Sequence, residues 1–519
     1  MNLRLVRNAF ANLLGAAIPA AVALATVPLI VRGLGDAGYG VYALVTAIVG
    51  YFAILDINVT AGSVKHIAAH WAQSLQPGAQ DGTDGQHGPH PGAGIDQTIT
   101  FGLLVYCALG ATGGVAIWMF APWLVHALFS VPATFTASAT AALKIAAAGF
   151  MLGQLQSYLD SVPQSLMRYD SSARLAVLFG SLVPISTVLV LMLGGGLVQV
   201  VLVRVIASGL HCLLLWRTIR RLLPALRLRW PARALRRSLL HFSAYACLNR
   251  FAAMSYAYAD KLMIGALVGV TGLAVYAVAS TLANRLLSLT GRLASVLFPA
   301  ASALAASDEL PRLAAIYLKA SRYLTFVNGA MLLLIAVFAA PILHYWMSAD
   351  FARRGATVLA VMALAQCIDS LTALPSLVND GMGHPAVTGA FALARALLGL
   401  VTVYIGILLT GIDGAAWGHL AASTLMTTVF VRFVHGRTVP VTLRAVVACA
   451  YLPAAAGLAG IALLAWQVQR AAGQGPVAFA CIGLVTFVAL ALYAACVIAA
   501  PADRDRIRSL WHARRTSGA

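Results

Sequence analysis

The sequence predicts an all-α integral membrane protein of about fourteen transmembrane helices, set out as two related six-helix lobes and a C-terminal helix pair. Three observations carry this expectation. The 519 residues are 61% hydrophobic and only 10% charged, with a mean hydropathy of +0.86, and a soluble domain of this size needs a more polar surface. Apolar runs long enough to cross a bilayer recur along the whole chain. A ten-residue pattern appears once in each half.

The apolar runs fall at 12–31, 40–61, 99–120, 139–159, 173–193 and 197–216, then at 242–268, 272–297, 323–344, 356–377, 386–409 and 413–431, and finally at 445–466 and 476–499. The first is long enough to span and has no clear small-residue cleavage site after it, so no signal peptide is expected. Between the sixth and seventh, Arg217 to His241 holds eight arginines with Trp230 and two prolines. This composition fits an interfacial linker against anionic lipid or an ordinary stop-transfer anchor. The expected divisions are therefore an N-terminal lobe 1–216, a basic linker 217–241, a second lobe 242–434, and an accessory pair with a basic tail at 435–519. Gln76–Asp96, rich in Gly, Pro, Gln and His, reads as a cytoplasmic loop.

The net charge of +19 reports topology. With the N-terminus inside, 24 of the 35 Lys and Arg lie in the termini and inner connections, against four in the outer ones. The positive-inside rule then puts both termini in the cytoplasm, and no nucleic-acid partner is needed to explain the basic balance. The seven cysteines lie in apolar spans without CxxC spacing and read as small packing residues. His66, His70, His87 and His90 lack the Cys or carboxylate spacing of a metal site.

The repeat is G-x-x-G-x-x-V-Y-A-[LV]. It runs Gly35 to Leu44 in the first half and Gly269 to Val278 in the second, each time at the first outer turn of a six-span block. Parallel repeats of this kind place a transporter's binding site between lobes.

Ionisable residues inside spans are costly in lipid and usually face a bundle interior or a watery cavity. Arg285, Ser288 and Arg292 share one face of the eighth span, beside Asn284. On the seventh span Tyr245, Asn249, Tyr256 and Asp260 share another, with Arg250 adjacent. Tyr42, Thr46 and Asp56 share a face of the second span, and Arg395 sits near the middle of the eleventh. Two polar stripes with excess positive charge describe a cavity for an anion. Arg250, Arg285, Arg292, Arg395, Asn249 and Asn284 are the expected substrate-binding residues. Asp56, Asp260 and Asp369, the acids within membrane depth, are candidates for ion coupling or for pairing with arginine. Lys144, Arg204 and Lys261 read as side chains that either snorkel to an interface or touch substrate.

No P-loop, HExxH or GxSxG motif occurs, so no enzyme, cofactor or metal chemistry is expected. The run Asn8, Gly15, Pro19, Pro28-Leu29-Ile30-Val31-Arg32, Gly35, Tyr39-Gly40-Val41-Tyr42 and Ile54-Leu55-Asp56 resembles the N-terminal signature of polysaccharide (O-antigen, Wzx-type) flippases. These belong to the superfamily of multidrug exporters of the MATE type and the lipid II flippase. Asp260-Lys261-Leu262-Met263-Ile264, Gly269, Tyr276-Ala277-Val278 and Leu297-Phe298-Pro299 resemble its second-lobe counterpart. The resemblance covers about 8–70 and 240–322, and departs at Asn58, where family members often carry Gly.

The resemblance implies a MATE-like, flippase-like fold that alternates between inward-open and outward-open states. It also implies turning of an undecaprenyl-pyrophosphate-linked oligosaccharide from the cytoplasmic to the periplasmic leaflet, for surface polysaccharide and lipopolysaccharide biosynthesis. The location implied is a bacterial inner membrane, and the partners are membrane lipid, a polysaccharide polymerase and assembly proteins. The lipid II flippase and the cation-coupled multidrug exporter remain as alternatives on the same fold.

Overall fold

The computed structural model describes residues 3–74, 91–233, 250–294, 309–471 and 475–499, with 235–237, 239, 304 and 307. Among the described residues there is no strand. The chain divides into two compact units, Met1–Ala277 and Val278–Ala519. Among the described residues, ten helical stretches are long and apolar enough to cross a membrane. Two of them are broken internally, and the helices flanking Gly269 stand outside the ten, an arrangement consistent with the expected fourteen crossings.

The first unit opens with α1, Leu3–Phe52, interrupted at Gly35, where φ is +72°. That left-handed backbone suits glycine, which has no Cβ to clash. The short helix α2, Val59–Ser74, follows. The helix α3, Pro91–Trp123, begins inside the expected loop, because Pro91 supplies a preset φ for a first helical turn. Then come α4, Ala133–Ser165, α5, Tyr169–Met192, and α6, Leu197–Leu222. After the linker, helical residues 250–254 pass through a π-turn at Ser255–Ala259 into α7, Asp260–Leu267. Gly269, with φ +98°, makes the turn into α8, Val270–Ala294.

Both copies of the ten-residue pattern therefore start on a left-handed glycine. They also touch. A Cβ on Gly40 would lie 1.8 Å from the carbonyl oxygen of Val270, so the first copy's helix runs against the backbone of the second copy's turn. A separate core gathers Tyr106, stacked on Tyr158 at 5.2 Å, with Val59, Ile67, Val162 and Ile219 from α2, α3, α4 and α6. Leu189, Ile206 and Leu213 point outward, as lipid-facing side chains do.

The second unit holds α9, Leu310–Val337, α10, Ala339–Trp346, α11, Ala349–Ser370, and α12, Ala373–Gly381. The long α13, Pro385–Arg437, breaks at Thr410 and Gly411. It is a helical hairpin. A Cβ on Gly414 would sit 1.8 Å from the oxygen of Gly406, and one on Gly418 would sit 2.3 Å from that of Thr402, so the two arms meet backbone to backbone. Replacing Gly414 by Val is expected to force them apart and destabilise the unit by about 1–3 kcal/mol, read as a lower Tm of the purified protein. An unchanged Tm would mean the arms are not in contact.

The chain ends with α14, Leu443–Val446, a π-turn at Val447–Tyr451, α15, Leu452–Ala471, and α16, Pro476–Tyr493. α15 and α16 pack on α9 through Phe326, Leu458 and Leu490.

Candidate functional site: a polar cavity in the first unit

A cavity of about 390 Å³ opens among the second half of α1, α4, α6 and residues 250–258. Tyr42 and Thr46 of α1 share a helical face one turn apart. Arg204 and Ser208 repeat that spacing on α6, and Gln154 and Ser157 lie one turn apart on α4. The lining holds two arginines, Arg204 and Arg250, with Gln154, Gln156, Ser157, Ser208 and Tyr258, and it includes no carboxylate.

The two arginines are held differently. Arg204 donates through Nη1 to the Tyr42 hydroxyl at 3.3 Å and to Thr46 Oγ1 at 3.5 Å. Arg250 donates through Nε to the Ala53 carbonyl at 3.4 Å and places Nη2 3.5 Å from Asp56 Oδ2. Asp56, only 3% exposed, also accepts from the Tyr106 hydroxyl and the Asn58 amide, both at 2.8 Å. Asn58 has φ +53°, a left-handed position that Asn tolerates and Gly adopts freely. The departure from the family signature at this residue is therefore conformationally mild.

Of the expected binding residues, the cavity contains Arg250. Asn249 lies outside the described residues, as does the side chain of Arg292. Asn284 and Arg285 are exposed on α8, within the second unit. Arg395 is bonded to Asp369, the two side chains being 20% and 5% exposed. Asp260 is buried and accepts from the Tyr276 hydroxyl and the Lys261 amide, both at 2.8 Å. Tyr258 lines the cavity where an α-helical spacing favours Tyr256. The π-turn at Ser255–Ala259 is the reason, since it inserts roughly one extra residue per turn and rotates everything after it.

Sequence reasoning missed Gln154, Gln156, Ser157 and Ser208, and left Arg204 between snorkelling and contact. The periodic Gln and Ser on α4 were the available signal. Among the described residues no group of three or more His, Cys, Asp or Glu is placed to hold a metal. On α2, partial burial with His70 and Lys65 nearby holds the His66 imidazole below its ordinary pKa.

Residues 97–353 match the family described as polysaccharide biosynthesis protein. A 66-residue segment is 39% identical to the "Putative O-antigen transporter" of Shigella flexneri, covering 13% of this chain. The match spans about one sixth of that relative's length, 16%. The lipid II flippase MurJ, in an inward closed conformation, superposes with a TM-score of 0.74 at 11% identity, over 94% of this chain and 98% of that one. An inward-facing multidrug resistance MATE family transporter of the MOP superfamily gives 0.67 at 14% identity, over 82% and 98%. At these identities the superpositions establish the fold alone, a multi-pass helical membrane fold. Sequence match and fold agree: residues 97–353, close to half of the chain, match the polysaccharide biosynthesis protein family, and the chain has the fold of the transporter structures that superpose on it.

Proposed function

We propose that the protein flips an undecaprenyl-pyrophosphate-linked oligosaccharide from the cytoplasmic to the periplasmic leaflet by alternating access, for surface polysaccharide synthesis. It would work in a bacterial inner membrane with both termini cytoplasmic, without covalent chemistry, and supply a polysaccharide polymerase and assembly proteins on the far side. The supporting observation is the cavity in which two arginines and neutral hydrogen-bonding side chains stand among apolar ones such as Val45, Val49, Phe150 and Val201, with no acid in the lining among the described residues. A guanidinium stays charged in any surroundings and grips a phosphate with two parallel bonds. Hydroxyls and amides suit the sugar. A cavity for lipophilic cations would put acids or bare apolar walls in these places.

Arg285 and Arg292 extend this reading as further binding residues, with 1–216 and 242–434 as the moving lobes around the linker at 217–241. Asp260 and Asp369, both buried, are the carboxylates proposed for ion coupling, with Asp56 as the third.

Deleting the gene is the direct test. Lipid-linked oligosaccharide is expected to accumulate on the cytoplasmic leaflet, and surface polysaccharide to disappear. Complementation with Arg250→Ala should restore about a tenth of wild-type export or less, since a charge-assisted hydrogen bond contributes about 1.5–3 kcal/mol. Normal surface polysaccharide in the deletion strain, with new sensitivity to cationic drugs, would replace this function with drug export.

A further inference from the structure

Arg204 and Arg250 line one cavity but differ in what neutralises them. Arg250 has Asp56 beside it. Arg204 has two neutral hydroxyls, and among the described residues no carboxylate forms an ion pair with it. A guanidinium at membrane depth without a counter-ion is expensive to maintain. It is retained where an anion visits.

The two guanidinium groups also sit at different depths. Arg204 meets α1 at Tyr42 and Thr46, whereas Arg250 meets the chain at Ala53 and Asp56. From Thr46 to Ala53 a helix rises roughly 10 Å, at about 1.5 Å per residue. In the same cavity lies Gln154, 4% exposed, whose amide Nε2 has no hydrogen-bond partner. A buried amide donor left unpaired in a cavity wall can donate to an acceptor that enters the cavity.

We infer that Arg204, with Tyr42 and Thr46, forms a second anion station about 10 Å beyond the Arg250 station, and that the substrate diphosphate passes from Arg250 to Arg204 along Gln154. This rests on the flippase function and on the orientation proposed above, which makes Arg250 the cytoplasmic station. Arg250 shares its charge with Asp56, so it captures and releases. Arg204 has no such competitor and draws the anion onward. Gln154 offers its amide proton to a phosphate or glycan oxygen in transit.

The test uses full-length protein in proteoliposomes with lipid-linked oligosaccharide as cargo, and farnesyl diphosphate and inorganic pyrophosphate as binding probes. Arg250→Gln is expected to raise the half-saturating cargo concentration about tenfold, with the maximal rate held within about twofold. Arg204→Gln is expected to do the reverse, cutting the maximal rate about tenfold while half-saturation stays within about twofold. Arg204→Lys should recover part of the rate, because it keeps the charge but loses the planar fork. Should Arg204→Gln fail to insert, Thr46→Val with Tyr42→Phe tests the same station and should lower the rate in the same direction.

Identical kinetic splits for the two arginine variants would overturn the two-station arrangement, as would wild-type rates in Arg204→Gln. Inorganic pyrophosphate binding as tightly as farnesyl diphosphate would overturn the assignment to a lipid-linked anion. If wild-type protein binds farnesyl diphosphate through Arg204 yet moves no lipid-linked oligosaccharide, the flippase function fails and the anion station stands.

Discussion

Replacing Asp369 by Ala is expected to destabilise the second unit by about 3–5 kcal/mol, the cost of leaving a buried charge without its partner. Arg395 Nη2 is bonded to Asp369 Oδ2, and neither side chain is more than 20% exposed. The partners sit on α11 and α13, so the pair ties the arm before the Gly411 break to its neighbour. Removing both charges together should be far milder, because no ion is then stranded in an apolar setting. The measurement is Tm for Asp369→Ala, Arg395→Ala and the double variant. A double variant as damaged as the sum of the singles would show that the two residues act independently. The pair also bears on function. Arg395 is largely occupied by Asp369, so the case for an anionic substrate leans on the cavity of the first unit.

Asp56→Ala should have the second largest effect, about 3 kcal/mol or more. The carboxylate satisfies three donors at once, the Tyr106 hydroxyl, the Asn58 amide and Arg250. Tyr106 is fully buried and would keep only Thr60, at 2.6 Å, as a partner. Asp56→Asn separates two roles. It can still accept from Tyr106, so much of the stability should return, but Arg250 loses its counter-charge. If Asp56→Asn is as unstable as Asp56→Ala, the negative charge itself carries the stability, and a neutral acceptor does not suffice.

Hydropathy made the spans legible, because a bilayer requires long apolar helices with few charges and the rest of the chain cannot imitate them. The breaks at Gly35 and Gly269 were legible from the repeated glycine pattern, and both proved to be left-handed. Individual side-chain partners were not. Arg204 finds Tyr42 and Thr46 about 160 residues away in sequence, and no periodicity within α6 reports a neighbour on α1. The π-turn at Ser255–Ala259 defeated the face count on the seventh span for a local reason, since a pattern read at 3.6 residues per turn carries no mark of a wider turn. That Asp369 pairs with an arginine was legible as one of its two expected roles, because few acids lie within membrane depth, but that the partner is Arg395 on α13 was not.

The meeting of Gly40 with Val270 bears on how such a chain diversifies. Any lineage that acquires a larger residue at 40 must at the same time reshape the bend at 270, so the two positions cannot change independently. At the seam between residues 40 and 270 a substitution on one side calls for a matching one on the other.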